Sequence, residues 1–346
     1  MTQSVYPSIL ILPNVTFGKY HDEDRPLPYE ATPAKVREEL ARRLPDVEIH
    51  LPADDLAART LLLRARIVLA ERFTRDMLAA AEQLDWLQFP GSGPDHFFKL
   101  SGLGPEDFRR RGVRVLNSPG ISRIPVAEQV MALALALVRG VPRALRQQAR
   151  HQWTIFCADE LYGKTMGIIG LGAIGCRVAE LAKAFGMRVI GSRARPAMRP
   201  PAVDEVYGPE QTEKVIREAD ILLLACPLTP ETRGLMGRRQ FSMMKPTAYF
   251  INVSRGENVD EAALVDALQA GTIAGAGLDT FGPLDRSNPK LMEALSPDSQ
   301  LWECTNAIVM PNNAASTHRY FEYFADLVAE NYRRALRGEP FLSQVA

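Results

Sequence analysis

Two features of the chain have residue types and spacings suited to holding a phosphorylated cofactor. The first is Gly170-Leu171-Gly172-Ala173-Ile174-Gly175, which follows the apolar run 166–169 and precedes a helix-compatible segment, 176–185. In such a turn the first glycine allows the tight bend and the second lets a pyrophosphate approach the backbone. The third lets helix and strand pack closely. First-turn amides of Ala173, Ile174 and Gly175, with the helix dipole, then face the phosphate anions. The run 187–192 supplies the second strand of a βαβ unit, the context that separates a ligand-binding turn from a plain glycine-rich loop. The second feature is the end of that strand, Gly191-Ser192-Arg193-Ala194-Arg195. No acidic residue lies between Glu180 and Asp204. An acid at this place would accept from a ribose 2′-hydroxyl, whereas an arginine pairs with a 2′-phosphate. Arg193, flanked by Ser192 and Arg195, predicts NADP as the coenzyme. NAD is the alternative if the basic loop merely faces solvent.

Composition narrows the class. With 346 residues there is chain enough for two domains, each with its own core. Lysine plus arginine and aspartate plus glutamate both number 41, so nothing marks nucleic acid or an anionic membrane as a partner. Cys157, Cys176, Cys226 and Cys304 are scattered, without C-x-x-C spacing or close histidines, which argues against a metal site or a disulfide framework. No apolar run has the length of a membrane span, and 126–138 is too short and carries Glu128. The N-terminus lacks a basic region and a signal-length apolar run. A cytoplasmic protein is the expectation.

These features need a scaffold of parallel strands. Runs 8–15, 47–51, 65–70, 86–89 and 112–116 read as strands, with helices at 33–44 and 75–84, the latter N-capped by Thr74. The insert 20–29 reads as a surface loop. Such alternation implies a parallel sheet with helices on both faces. Ser118-Pro119-Gly120 breaks the pattern and marks a domain boundary. The long helix predicted over 125–139 is so apolar that burial, together with a subunit interface, is expected of it. Strands then recur at 166–169, 187–192, 220–225, 248–253, 273–278 and 307–310, a six-stranded doubly wound domain, with a helix at 260–270. A last helix spans 317–337, and the tail 339–345 reads as extended, returning to the first domain. The fold class is therefore α/β with two doubly wound parallel-sheet domains.

Taken together, the ordered motifs resemble the D-2-hydroxyacid dehydrogenase family over nearly the whole chain. They are Gly91-Ser92-Gly93-Pro94-Asp95-His96, Arg111 to Asn117, Val126-Ala127-Glu128, the glycine turn, Pro227-Leu228-Thr229-Pro230-Glu231-Thr232-Arg233, Asn252-Val253-Ser254-Arg255-Gly256 and Gly277-Leu278-Asp279. The resemblance implies a flavodoxin-like substrate domain, 1–118 and 318–346, with an inserted Rossmann nucleotide-binding domain, 119–317, and a homodimer. Arg255 matches the arginine that grips a substrate carboxylate and carbonyl, for which a planar fork of donors is suited. Amides of Ser92 and Gly93 match the carboxylate-binding loop, with Arg72 a further candidate. Pro227, Thr232 and Val253 fall in the cofactor motifs. Asp279 matches the acid near the nicotinamide amide, a loop-capping aspartate being the other reading.

The pattern breaks at the proton-transfer pair. Asn312, in Pro311-Asn312-Asn313-Ala314, stands where the family has its histidine, and Leu284 where it has the glutamate. An asparagine amide hydrogen-bonds a carbonyl but exchanges no proton near neutral pH. Asp285, beside Leu284, and His318, about a turn past Asn312, are the candidate replacements. His96 is another, while His21, His50 and His151 carry no signal. Two hypotheses follow. One is an NAD(P)-dependent reductase of a 2-oxo acid or related carbonyl with an atypical proton donor. The other is a dinucleotide-binding sensor or interaction protein without turnover.

Overall fold

The computed structural model describes residues 8–14, 33–196, 199–282 and 294–346. The expected loop 20–29, Leu284 and Asp285 lie outside them. The chain divides into two compact units, Met1–Ser122 with Ser316–Ala346, and Arg123–Ala315.

The first unit carries five parallel strands, β1 (Ser8–Ile11), β2 (Glu48–His50), β3 (Ile67–Leu69), β4 (Trp86–Gln88) and β5 (Arg114–Leu116), in the order β2-β1-β3-β4-β5. Side chains alternate between faces with the period of a strand. Ile9, Ile11, Ile67, Leu69 and Trp86 meet the C-terminal helix Tyr320–Arg337 through Phe321, Phe324 and Val328. Leu10, Val68, Leu87 and Val115 face Leu62, Phe97 and Phe108 on the other side. Burial on both faces is why β3 reads as a short unbroken apolar run. The C-terminal helix starts at Tyr320 rather than at 317, so His318 precedes it and is exposed. The tail is extended, as expected, and pairs with β5 through Val115 N to Ala346 O (2.9 Å) and Val345 N to Val115 O (2.8 Å).

A closed polar network lies within this unit. Gln88 donates to Ser118 Oγ (3.3 Å) and accepts from Asn331 Nδ2 (3.2 Å), and Asn331 Oδ1 takes the Leu342 amide (3.0 Å). Gln88, Ser118 and Asn331 have no exposed surface, so each bond substitutes for lost water.

In the second unit the strands are β6 (Thr165–Ile169), β7 (Arg188–Ser192), β8 (Glu205–Tyr207), β9 (Ile221–Leu224), β10 (Tyr249–Asn252), β11 (Gly275–Leu278) and β12 (Ala307–Val309). All are parallel, in the order β12-β11-β10-β9-β6-β7-β8. The sheet thus has seven strands, not the six expected. The three-residue edge strand β8 follows Pro200-Pro201 and has no apolar periodicity to announce it. It is pinned by Asp204, whose carboxylate accepts the Val189 amide (2.8 Å), and by Arg193 N to Tyr207 O (3.1 Å).

The apolar helix, Arg123–Val138, lies against this sheet, with Val126, Ala127, Val130, Met131, Leu133 and Ala134 packed beside Met166, Ile168, Ile221 and Ile251. Its apolar surface is largely consumed inside the unit, so the packing there accounts for its composition.

Removing the Asn331 side chain would strand buried groups on both sides of it. Asn331→Ala is expected to lower the unfolding free energy by about 1–3 kcal/mol, read as a shift in the urea midpoint. An unshifted midpoint would show that the network contributes nothing.

Candidate active site

The glycine turn has the geometry its sequence implies. Gly170 has φ +108°, and a Cβ there would lie 2.6 Å from the Ala225 carbonyl and the Cys226 nitrogen where β9 ends. At Gly175 a Cβ would lie 2.3 Å from Gly170 O, so helix and turn touch backbone to backbone. Gly172, the N-cap of the helix Ala173–Ala184, has nothing within 4 Å of where a Cβ would be. The middle glycine therefore borders open space at a twelve-residue helix N-terminus, a cradle that fits a pyrophosphate.

At the end of β7, Ser192 is buried and its Oγ accepts from Thr212 Oγ1 (3.3 Å). Arg193 is half-buried, and Arg195 is exposed. Burial pushes the Cys176 thiol up from its ordinary value, and the Arg193 charge opposes that shift. Asp204, the next acid along the chain, is engaged by Val189 N and by Lys183 at 3.0 Å.

The loop after β10 is tied down by buried side chains. Asn252 Oδ1 accepts from Ser254 N (3.0 Å) and Ser254 Oγ (2.7 Å). Asn258 Nδ2 donates to Ser254 Oγ (3.2 Å) and to Cys226 O (3.3 Å), which joins the exits of β9 and β10. Arg255 emerges half-buried from this knot, with Nη1 donating to Ser254 O at 2.9 Å. Gly256 follows because the backbone after β11 passes over it. A Cβ there would lie 1.7 Å from the Phe281 carbonyl carbon and 2.0 Å from its oxygen. Val253 is buried beside it. Thr232 closes the loop after β9, donating to Pro227 O and accepting from Thr229 N, both at 2.7 Å.

Asp279, at the end of β11, is buried and takes the Asn313 amide on Oδ1 (3.1 Å) and the Ala314 amide on Oδ2 (3.2 Å). It caps the loop after β12. Asn312, the residue just before those amides, is exposed and has φ +53°. Asparagine is among the few side chains that adopt this left-handed conformation readily.

In the first unit, Arg72 lies past β3, and Ser92 and Gly93 past β4. Asn117 Nδ2 donates to Ser92 O (2.7 Å), Ser118 N to Gly91 O (2.9 Å) and the Tyr320 hydroxyl to Pro90 O (2.5 Å). Gly93 then N-caps the helix Pro94–Ser101. Arg72 is exposed, its main-chain oxygen accepting from Asn14 Nδ2 (2.8 Å).

Gly170 to Gly175, Ser192, Arg193, Pro227, Thr232, Val253, Arg255, Asp279 and Asn312 thus gather at the carboxyl ends of one sheet, where a switch in strand order opens a ligand crevice. Arg72, Ser92 and Gly93 gather at the carboxyl ends of the other. Asp285 is outside the described residues. Sequence reading assigned no loop-holding role to Asn117, Ser118, Asn258, Tyr320 or Asn331, whose side chains hold the loops through hydrogen bonds. Their one signal is a polar residue just past a strand or on an apolar helix face.

Comparison with known proteins agrees with this geometry. A family model for the D-isomer specific 2-hydroxyacid dehydrogenase NAD binding domain matches residues 131–314. The D-3-phosphoglycerate dehydrogenase of Methanocaldococcus jannaschii is 35% identical over 90% of this chain, which spans 54% of that enzyme's length. The glyoxylate reductase of Pyrococcus furiosus is 32% identical over 88% of each chain. A structure of an NADPH-dependent glyoxylate/hydroxypyruvate reductase from Sinorhizobium meliloti, in complex with NADP and sulfate, aligns with TM-score 0.76 at 25% identity, covering 98% of each chain.

The glycines separate fold from ligand contact. Gly256→Ala forces a Cβ into main chain that no rotamer change relieves, so a loss of at least about 1–3 kcal/mol is expected. Gly172→Ala has room for its methyl and should leave the melting temperature in place while weakening dinucleotide binding. Equal melting temperatures for the two variants would contradict the geometry.

Proposed function

The chain belongs to the D-isomer specific 2-hydroxyacid dehydrogenase family and is an NAD(P)-dependent oxidoreductase, and we propose that it reduces a small 2-oxo acid or related carbonyl with NADPH, NAD(H) being the alternative coenzyme. The observation that carries this reading is Arg255, which leaves a strand-exit loop whose main chain is held by Asn252, Ser254 and Asn258, with its guanidinium donating to Ser254 O. A planar fork held in one place fits a carboxylate with an adjacent carbonyl.

The bound coenzyme supplies the hydride. In this reading the Ala173, Ile174 and Gly175 amides hold its pyrophosphate, and Arg193 with Arg195 pairs with a 2′-phosphate. Pro227, Thr232, Val253 and Asp279 shape the nicotinamide side. Arg255 grips the substrate carboxylate. Asn312 donates from Nδ2 to the carbonyl oxygen, and the proton that completes the 2-hydroxy acid comes from water. Relatives named as reductases of glyoxylate, and one solved with NADP, support the substrate class and the coenzyme. The silent-sensor alternative is not favoured, because a sensor has no need of a fixed carboxylate clamp.

The reading extends to a homodimer in the cytoplasm. Among the described residues no single helix is long and apolar enough to cross a membrane. Trp153 and Ile155, 93% and 89% exposed, offer apolar surface to a second copy.

The test is NADPH and NADH oxidation with glyoxylate, hydroxypyruvate and pyruvate. Arg255→Ala is expected to lower kcat/KM by about 100-fold, the equivalent of two charge-assisted hydrogen bonds. A variant as active as the parent would refute the clamp. Separately, Arg193→Ala should raise KM for NADPH about tenfold, one charge-assisted bond, and leave KM for NADH in place. Equal effects on both coenzymes would remove Arg193 from phosphate recognition.

A further inference from the structure

The crevice of the second unit holds a feature that a carbonyl substrate does not explain. The residues just past its central strands are Ala225-Cys226-Pro227 after β9, Val253-Ser254-Arg255 after β10, Asp279-Thr280-Phe281 after β11 and Met310-Pro311-Asn312 after β12. Three of these twelve are titratable. Cys226 is buried, and burial pushes its thiol up to about 11. Arg255 carries a guanidinium, which donates hydrogen bonds and accepts none. Both Asp279 oxygens accept main-chain amides. Among these twelve residues there is no histidine, the side chain that most often serves as general acid near neutral pH. The residue presented at the end of β12 is instead an amide, held in place because Asp279 anchors the next two residues.

Reduction of a carbonyl puts negative charge on oxygen as the hydride arrives, and general-acid assistance to that step is worth about 10²–10⁴-fold. An iminium carbon, C=NH₂⁺ or C=NHR⁺, already carries the proton. Addition of hydride to it gives a neutral amine, so no anion develops that requires a donor. The amide of Asn312 also suits that group, since its Oδ1 accepts an iminium N–H, whereas a protonated imidazole would repel it.

We propose that the favoured substrate class is the 2-iminium acid formed from a 2-oxo acid and ammonia or a primary amine, reduced to the 2-amino acid. This deepens the reductase reading above and rests on it. In the balanced step the 2-oxo acid and amine condense with loss of water. The proton on the iminium comes from the ammonium form of the amine. One hydride carrying both electrons passes from NADPH to the iminium carbon, NADP⁺ leaves, and the neutral amine so formed is protonated by water. Arg255 holds the carboxylate, and Asn312 Oδ1 accepts from the iminium nitrogen.

The experiment measures NADPH oxidation with pyruvate alone and with pyruvate plus ammonium or methylamine, and identifies the product by mass spectrometry. Its second arm titrates D-alanine and D-lactate calorimetrically into the protein with NADP⁺. The expected result is a rate at least about tenfold higher with amine, alanine or N-methylalanine as product, and tighter binding of D-alanine than of D-lactate, since a fixed polar acceptor discriminates strongly. Asn312→Gly, which suits φ +53° and keeps the loop foldable, should abolish the preference for D-alanine over D-lactate. Lactate as the product at a rate indifferent to amine would overturn this inference and leave the 2-oxo acid reductase standing. Binding of D-lactate as tight as that of D-alanine would also overturn it. No oxidation under either condition would overturn both readings.

Discussion

Main-chain groups at the exits of parallel strands must find partners once they leave the ladder, and the site depends on how this chain supplies them. A buried amide or carbonyl without a partner is costly. At β10 the partner is Asn252, backed by Ser254 and Asn258, and at β12 it is Asp279 reaching across from β11. In the first unit Asn117 and Ser118 do the same for the loop after β4. These short polar side chains have few rotamers, so satisfying the backbone also fixes where Arg255 and Asn312 leave it. Stability and site geometry are carried by the same hydrogen bonds.

Close approach is the second constraint. Gly170 and Gly256 are required because other backbone occupies the place of their side chains, whereas Gly172 borders open space. One residue type thus serves two ends, packing in the first pair and access in the third. A similar division holds for the charges near β7. Asp204 is drawn into pinning β8 through Val189, which leaves Arg193 and Arg195 to set the electrostatics of the strand end. Coenzyme preference in this fold is decided by which charge stands there.

Much of this was legible in the sequence, for reasons that differ by element. Buried parallel strands advertise themselves as apolar runs, and Thr74 and Asp260 cap their helices as Thr and Asp do elsewhere, accepting from Met77 N and Ala263 N. β8 was not legible, because an edge strand of three residues has no periodicity and is held by a side chain from outside it. The helix Arg123–Val138 was read as buried, which it is. Its surplus of apolar residues nonetheless suggested a subunit contact, and only the sheet packed against it shows where that surplus goes.

Asp279 shows the same limit at the site. Its position in Gly277-Leu278-Asp279 marked it as important, and only the structure shows that its carboxylate also takes the amides of Asn313 and Ala314. The sequence by itself determined the fold class, the glycine cradle, the basic strand end, the fixed arginine and the amide at position 312, because each is a matter of residue type at a set spacing. The tertiary structure alone decided which polar side chains are spent on holding loops, since those partners lie tens to hundreds of residues apart, as Asn331 and Gln88 do. Spacing along a chain carries no record of such pairs; burial and the need to satisfy every buried donor and acceptor bring them together.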